Sequence, residues 1–432
     1  MQSAATIMNL YPPTKGAETR ETTNRINNLL KRIVMTHKYF THFSKRLQEG
    51  NMEEIAKQYQ ENFVAISNYI KSLLSKSISD FNIQNPPDDW NTYFDLLAEA
   101  QTKTKTWTQT IWSDLGSIPQ EIKINSDTIK ARFERISQIC ADLQNFPTDD
   151  ISVRDLKNNM DMLIGAIKNI LDRIGLLLDN IVKFDGEIIE IANELKQIAD
   201  MALADKEVDE RKIKQLEADI KAAKNEVSML AAEIAAASVG IVASVAISVL
   251  TFFISPIGGA IVTVFLGIPI AVGATVIALD SMKIQGLNQE IKMNSESLSC
   301  YEADILQLEM MADEFSEMSE QAKLLKDNLR FIYDIWADLY NDLKEVDDEV
   351  LQAYDMGIDS NIPHTSGEWR ALQEAMEQAK NDFILFVEKS QYFDVSGIEG
   401  IDAQIELGMS EKDIEKQLAV ARKTDLITYL TA

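Results

Sequence analysis

The chain has 432 residues, 46% of them hydrophobic, and a formal net charge of −26. Such an acidic balance disfavours nucleic acid as a partner and weakens attraction to anionic lipid head groups. Cys140 and Cys300 are the only cysteines, which excludes a disulfide framework or a cysteine-built zinc site and leaves both as small neutral core residues.

Nine prolines and seventeen glycines leave long stretches of chain unpunctuated. The expectation is an all-α fold, an elongated bundle of long antiparallel helices, rather than several domains on linkers. The amino terminus has no basic region followed by an apolar core, so export is expected without a classical signal peptide.

Helical periodicity starts near Glu18 and runs through Leu29, Leu30, Ile33, Val34, Tyr39 and Phe40 to about Leu47. Gly50 and Asn51 break it. A second helix carries Ile55, Phe63, Ile66, Ile70 and Leu73 and ends before Asn85–Pro87. Asp88 or Asp89 can cap a third, with Trp90, Phe94, Leu97, Trp107 and Trp112, which should stop at Gly116. Its three tryptophans read as helix core rather than as a lipid-interface belt. Pro119 is placed to open a fourth helix reaching Phe146, and Asp149 or Asp150 to cap a fifth through Leu156, Ile164, Ile170 and Leu178.

From Gly186 the spacing becomes a heptad: Ile213, Leu216, Ile220, Ala223, Val227, Leu230 and Ile234 fall on one seam. On the far side of an apolar run the pattern returns as Ile284, Leu287, Ile291, Asn294, Leu298, Tyr301, Ile305, Leu308, Ala312 and Phe315. After one register slip it continues as Ala322, Leu325, Leu329, Ile332, Trp336, Leu339, Leu343, Val346 and Val350. At about 1.5 Å per residue, a helix over 187–254 would be roughly 100 Å long, and one over 280–351 about as long again. Met310, Met311 and Met318, near the slip, suit gap-filling in a core.

Between the seams no charged residue occurs from Ile234 to Leu279, a run more than twice the ~20 apolar residues that one helix needs to cross a bilayer. Ser255, Pro256, Gly258 and Gly259 sit near its midpoint and suit a hairpin turn. Its membrane-facing candidates are Ile241, Val245, Ile247, Val249, Leu250, Phe252, Phe253 and Ile254 in one arm. Ile257, Ile261, Val264, Phe265, Leu266 and Ile268 follow at the tip and in the other arm. Gly240, Ser244 and Ser248, and then Thr263, Gly267 and Ala271, recur at intervals of four, as small residues do where helices approach closely in lipid or line a pore. The load of Val, Ile and Thr leaves a β tongue open as the form adopted in water.

Beyond the second seam, Gly357, Pro363 and Gly367 mark a connection, and Trp369, Leu372, Met376, Phe383 and Phe386 a further helix. The tail from Val395 is less regular, with a last helix starting at Ser410 and Asp413 and reading toward Leu430. The sequence contains no phosphate loop, dinucleotide fingerprint, HExxH or nucleophile elbow. His37 and His42 do not share a helical face and His364 falls in a loop, so neither a metal, a cofactor nor an enzymatic activity is expected.

The uncharged run between long helices, then FIYDIWADLYNDLKEV at Phe331–Val346, then GEWRALQEAMEQAKNDF at Gly367–Phe383, resembles the alpha-helical pore-forming toxins of the cytolysin A superfamily. Within it the order is similar to the A component of the alpha-xenorhabdolysin type (Xax and Yax) binary toxins. The apolar run is much longer than in the cytolysin A archetype. The resemblance implies tail-domain helices over 1–185, a first neck helix over 186–233, a hairpin head over 234–279, a second neck helix over 280–352 and C-terminal tail helices over 353–432. It also implies a protein that is soluble as a monomer, binds target-cell membrane lipid and self-oligomerises, with a B-component subunit, into a lytic pore. The competing reading from the same residues is a permanently membrane-anchored coiled-coil scaffold. A soluble helical protein with an unusually apolar hairpin is the third.

Overall fold

A computed structural model of the chain describes residues 39–74, 90–204, 208–239, 245–254, 261–265, 289–291, 293–294, 298–359, 366–405 and 410–425. Helices make up nearly all of them: α1 (Thr41–Glu49), α2 (Met52–Leu74), α3 (Trp90–Thr106), α4 (Trp112–Asn145), α5 (Asp150–Leu203), α6 (Glu210–Val239), α7 (Cys300–Asp359), α8 (Ser366–Ser390) and α9 (Glu411–Val420). The fold is all-α in class, with one small sheet built from β1 (Val245–Ile254), β2 (Ile261–Phe265), β3 (Glu399–Ile405) and β4 (Arg422–Asp425). The chain divides into two compact units, each drawn from three separate segments, and α4, α5, α7 and α8 contribute residues to both.

The first unit comprises residues 1–50, 123–171 and 334–388. Its core is aromatic. The Trp336 ring meets Phe386 at 5.2 Å and Phe383 at 5.9 Å between centroids, and Phe43 stands edge-on to Phe386 at 6.2 Å. Both quoted sequence blocks supply this core, through Ile335, Trp336, Leu339 and Leu343 and through Trp369, Leu372, Met376 and Phe383, all buried. Polar ties close its margin. The carboxylate of Asp342 takes the His42 ring nitrogen at 2.8 Å and the Phe43 N–H at 3.0 Å, and Trp369 Nε1 donates to the Pro147 carbonyl at 3.1 Å. Cys140 is buried here, and burial pushes its thiol up to about 12, as a neutral core residue requires.

Two expectations are corrected or sharpened in this unit. The first helix does not run unbroken through Phe40, because that residue has φ 62° and ψ 20°, in the left-handed region, and α1 begins only at Thr41. The part expected over 18–38 lies outside the described residues. Of the two aspartates offered as a cap for α5, Asp149 serves, accepting the Ser152 N–H at 3.2 Å. That bonding, with the Ser152 hydroxyl on the same oxygen, holds Asp149 below the usual carboxylate range.

The second unit comprises residues 51–122, 172–333 and 389–432. Trp107 packs on Phe184 at 4.4 Å and Trp112 on Phe63 at 5.8 Å, so both tryptophans are core; Trp90's side chain lies outside the description. The expected stop at Gly116 and restart at Pro119 do not occur. A single π-turn, Trp107–Ile111, joins α3 to α4, which continues through both residues. Glycine and proline inside a helix cost about 1 and 3 kcal/mol. Burial of Leu115, Ile118 and Ile122 on one stripe outweighs this at about 1.5–3 kcal/mol per side chain. The Ser117 hydroxyl donates to the Asp114 carbonyl at 2.9 Å beside the proline.

The heptad seams are largely buried where they are described: Ile213, Leu216, Ile220 and Ala223 of α6 join Ile291, Leu298, Ile305, Leu306 and Met310 in one cluster, with Asn294 and Tyr301 half-buried. Neither flank is the unbroken helix expected. α5 ends at Leu203, α6 restarts at Glu210 and gives way to strand at Val245, and α7 begins at Cys300. The tail also departs from expectation. Ser410 caps α9 as read, its hydroxyl accepting the Asp413 N–H at 3.3 Å, but the helix ends at Val420 and strands β3 and β4 flank it.

Candidate functional site

The uncharged run enters from the end of α6 and forms an antiparallel hairpin. Leu250 is the register partner of Phe265, Phe252 of Thr263 and Ile254 of Ile261, so residues 255–260 connect the strands. Strand is the local preference of VAISVLTFFI and IVTVF, dense in β-branched and aromatic residues. The alternative left open by composition is thereby decided for a β tongue. Val245, Ile247, Val249, Leu250, Phe252, Phe253 and Ile254 lie on β1 with Ser248, and Ile261, Val264 and Phe265 lie on β2 with Thr263. In this form Ser248 and Thr263 are therefore not on helices. Ile241, Ile257, Leu266, Ile268, the turn residues Ser255, Pro256, Gly258 and Gly259, and the small residues Gly240, Ser244, Gly267 and Ala271 lie outside the described residues.

The strand order is β2-β1-β3-β4. β1 pairs in parallel with β3, matching Val245 to Glu399, Ala246 to Gly400, Ile247 to Ile401 and, after a register shift, Val249 to Ile405. β4 runs antiparallel to β3, with Asp402 opposite Arg422. α2 packs against β1, and α9 against α6 and β3. Sequence reasoning missed β3 and β4. No local signal could have found them, because a parallel pairing is made with a strand far off in the chain.

At the end of α6 away from the tongue, one carboxylate fastens two helix starts. Glu302 Oε1 accepts the Asp209 N–H at 2.9 Å, ahead of α6, and Oε2 accepts the Ser299 N–H at 2.8 Å, ahead of α7. Ser299 Oγ returns a bond to the Glu302 N–H at 3.2 Å, completing a capping box. Burial works against the Glu302 charge, but the two backbone donors win and hold it below the usual carboxylate range.

Further along α6 and α7, Lys221 reaches Glu217 at 2.6 Å and is also bonded to Asp313. Burial opposes the Lys221 ammonium, yet these two carboxylates raise its pKa above the usual lysine range. Glu309 lies alongside, and burial, then the neighbouring Glu217 charge, push its carboxyl up to about 7. Asn294 and Gln215 each bond Asp219 at 2.8 Å. This is an arrangement that fixes helix register and stores charge. Among the described residues no group of His, Cys, Asp and Glu could hold a metal ion, and no helix is long and apolar enough to cross a membrane.

A mostly helical chain with one apolar tongue can be compared with known proteins. No protein-family model matches the sequence, and no curated protein matches it. Among solved structures, the cytotoxin MakB from Vibrio cholerae superposes with a TM-score of 0.56 at 12% identity, over 87% of this chain and 99% of that one. The chain has the fold of the cytotoxin MakB. AhlB, of the tripartite alpha-pore forming toxin AHL from Aeromonas hydrophila, covers 85% of this chain and 100% of its own at 13% identity and a TM-score of 0.47. The Bacillus cereus toxin component HblL1 covers 80% and 96% at 13% identity and 0.48. The helical fold expected from the sequence is thus shared with a solved cytotoxin.

Proposed function

We propose that this chain is a subunit of a pore-forming cytotoxin, held in water until its β tongue meets a target membrane and then assembled, with further copies and a second component, into a lytic pore. The observation that carries this reading is the tongue itself. It is an uncharged, β-branched and aromatic hairpin of β1 and β2, set in a helical fold shared with a cytotoxin. Each Leu, Ile, Val or Phe moved into lipid contributes about 0.3–0.6 kcal/mol on insertion scales, so the hairpin favours lipid by several kcal/mol in total. The net charge of −26 makes apolar insertion, not attraction to anionic head groups, the source of membrane affinity.

On this reading the head is residues 234–279, the neck 186–233 and 280–352, and the tail the remainder. The lipid-contacting set is Ile241 to Ile268 as named from the sequence. The small residues Gly240, Ser244, Ser248, Thr263, Gly267 and Ala271 pack the inserted arms. A second component of the Xax/Yax type is the partner that the sequence resemblance implies. The chain is not an enzyme: its work is the exchange of one environment for another by a bistable element.

The test is flotation of the purified chain with phosphatidylcholine vesicles, and dye release from them. Replacing Ile247 and Val249 with Asp swings each site against lipid by about 3 kcal/mol or more, so the doubly substituted protein should keep its helical circular dichroism and lose vesicle binding. Binding undiminished by those substitutions overturns the proposal.

A further inference from the structure

Strand order and charge together point to how the tongue is restrained. β1 and β2, over 245–254 and 261–265, contain no charged residue, whereas β3 carries Glu399 and Asp402, and β4 carries Arg422, Lys423 and Asp425. The four strands are one continuous sheet, so the boundary between lipid-compatible and lipid-incompatible chain runs along a single ladder, the parallel pairing of β1 with β3. Charged strands are costly in hydrocarbon, and β3 and β4 cannot accompany the hairpin there.

Each half of the sheet also has pairing of its own on its side of that line. β1 and β2 are joined through residues 255–260 and matched without interruption from Leu250–Phe265 to Ile254–Ile261. β3 and β4 are likewise matched residue for residue from Glu399–Asp425 to Asp402–Arg422. The β1–β3 ladder is the irregular one, with its register shift between Ile247 and Val249, and it joins segments remote in sequence. α9, lying between β3 and β4 in the chain, packs on α6 and on β3 and so ties the charged strands to the helix from which the tongue emerges.

We propose that the carboxy-terminal segment, residues 399–425, is an autoinhibitory clasp: β3 occupies the edge of β1 in the water-borne form, and parting of the β1–β3 ladder is an obligatory step before the tongue can enter lipid. This rests on the membrane reading of the tongue given above. Once parted, the exposed edge of β1 has unmet N–H and C=O groups, which no hydrocarbon can satisfy, so they must be re-paired within a helix or with another chain. The clasp therefore sets when the tongue becomes available, and the lipid or a partner supplies the gain that opens it.

The experiment joins the ladder covalently in the full-length chain. Ile247→Cys with Ile401→Cys, and separately Ala246→Cys with Gly400→Cys, places thiols at register partners. Each oxidised protein is compared with its own reduced form by flotation on phosphatidylcholine vesicles, so folding is controlled within one molecule. The single-Cys variants, which keep Cys140 and Cys300, control for mispairing. Oxidation should lower vesicle binding at least about ten-fold, as expected of a closed state that binds lipid poorly, and reduction should restore it. Equal binding by oxidised and reduced forms overturns the clasp and leaves the membrane reading standing. Absence of binding by every form, wild type included, overturns both. Failure of both pairs to cross-link refutes the pairing on which the clasp depends.

Discussion

Glu302 offers the sharpest test of what holds the starts of α6 and α7 together. Its carboxylate accepts the Asp209 N–H at 2.9 Å and the Ser299 N–H at 2.8 Å, and the residue is only 6% exposed. A hydrogen bond to a charged group contributes about 1.5–3 kcal/mol, and Glu302 accepts two. Glu302→Ala removes both acceptors and should cost about 3–5 kcal/mol. Glu302→Gln keeps one acceptor oxygen and should cost about half as much, while Ser299→Ala, which removes only the reciprocal cap bond, should cost about 1 kcal/mol.

The pH dependence follows from the sign. The folded-state pKa is depressed, so this stability is present above the ordinary glutamate value and is lost as pH falls through the folded one. Urea unfolding followed by circular dichroism at pH 7 and at pH 3 should show a large gap between wild type and Glu302→Ala that closes in acid. Amide exchange at Asp209 and Ser299 should quicken in the variant. A variant with a wild-type midpoint at pH 7 and unchanged exchange at those two amides would refute the double-cap reasoning.

Glu309 should act in the opposite sense. Its pKa is raised to about 7, facing Glu217 and Lys214 of α6, Lys196 of α5 and Asp313 of its own helix, so its contribution is intact below the ordinary glutamate value and is lost as pH rises through 7. Glu309→Gln should therefore raise stability on the order of 1–2 kcal/mol at pH 8 and leave it unchanged at pH 4, read from thermal midpoints across that range. His42 is raised by its bond to Asp342, so its stabilisation is present below the ordinary histidine value and is lost as pH climbs through the folded one. Because the His42 side chain is 71% exposed, His42→Ala should lower the melting point at pH 5.5 by no more than about 1 kcal/mol in equivalent stability and not at all at pH 9. A pH-independent effect would refute that assignment.

Much of the fold was legible because helices advertise a buried stripe. The seam from Ala322 to Val346 and the tryptophans Trp107 and Trp112 are buried where the spacing put them. Breaks were harder. Gly116 and Pro119 look like a stop, but side-chain burial on both sides carries the helix through, while the interruption between Leu203 and Glu210 contains neither glycine nor proline and is fixed by Glu302, a residue distant in sequence. The tongue's position was readable from its lack of charge. Its β form was not, since Val, Ile and Phe serve strand and membrane helix alike. β3 and β4 were invisible for a third reason: what makes EGIDAQI a strand is the exposed edge of β1, not its own pattern.

The bordering of β1 by β3 also has a consequence for synthesis. A ribosome releases Val245–Phe265 into the cytosol of the producing cell long before it has polymerised Glu399–Asp425. Through that interval the nascent polypeptide offers an uncharged hairpin with one flank unpaired, the kind of intermediate that aggregates or recruits chaperones.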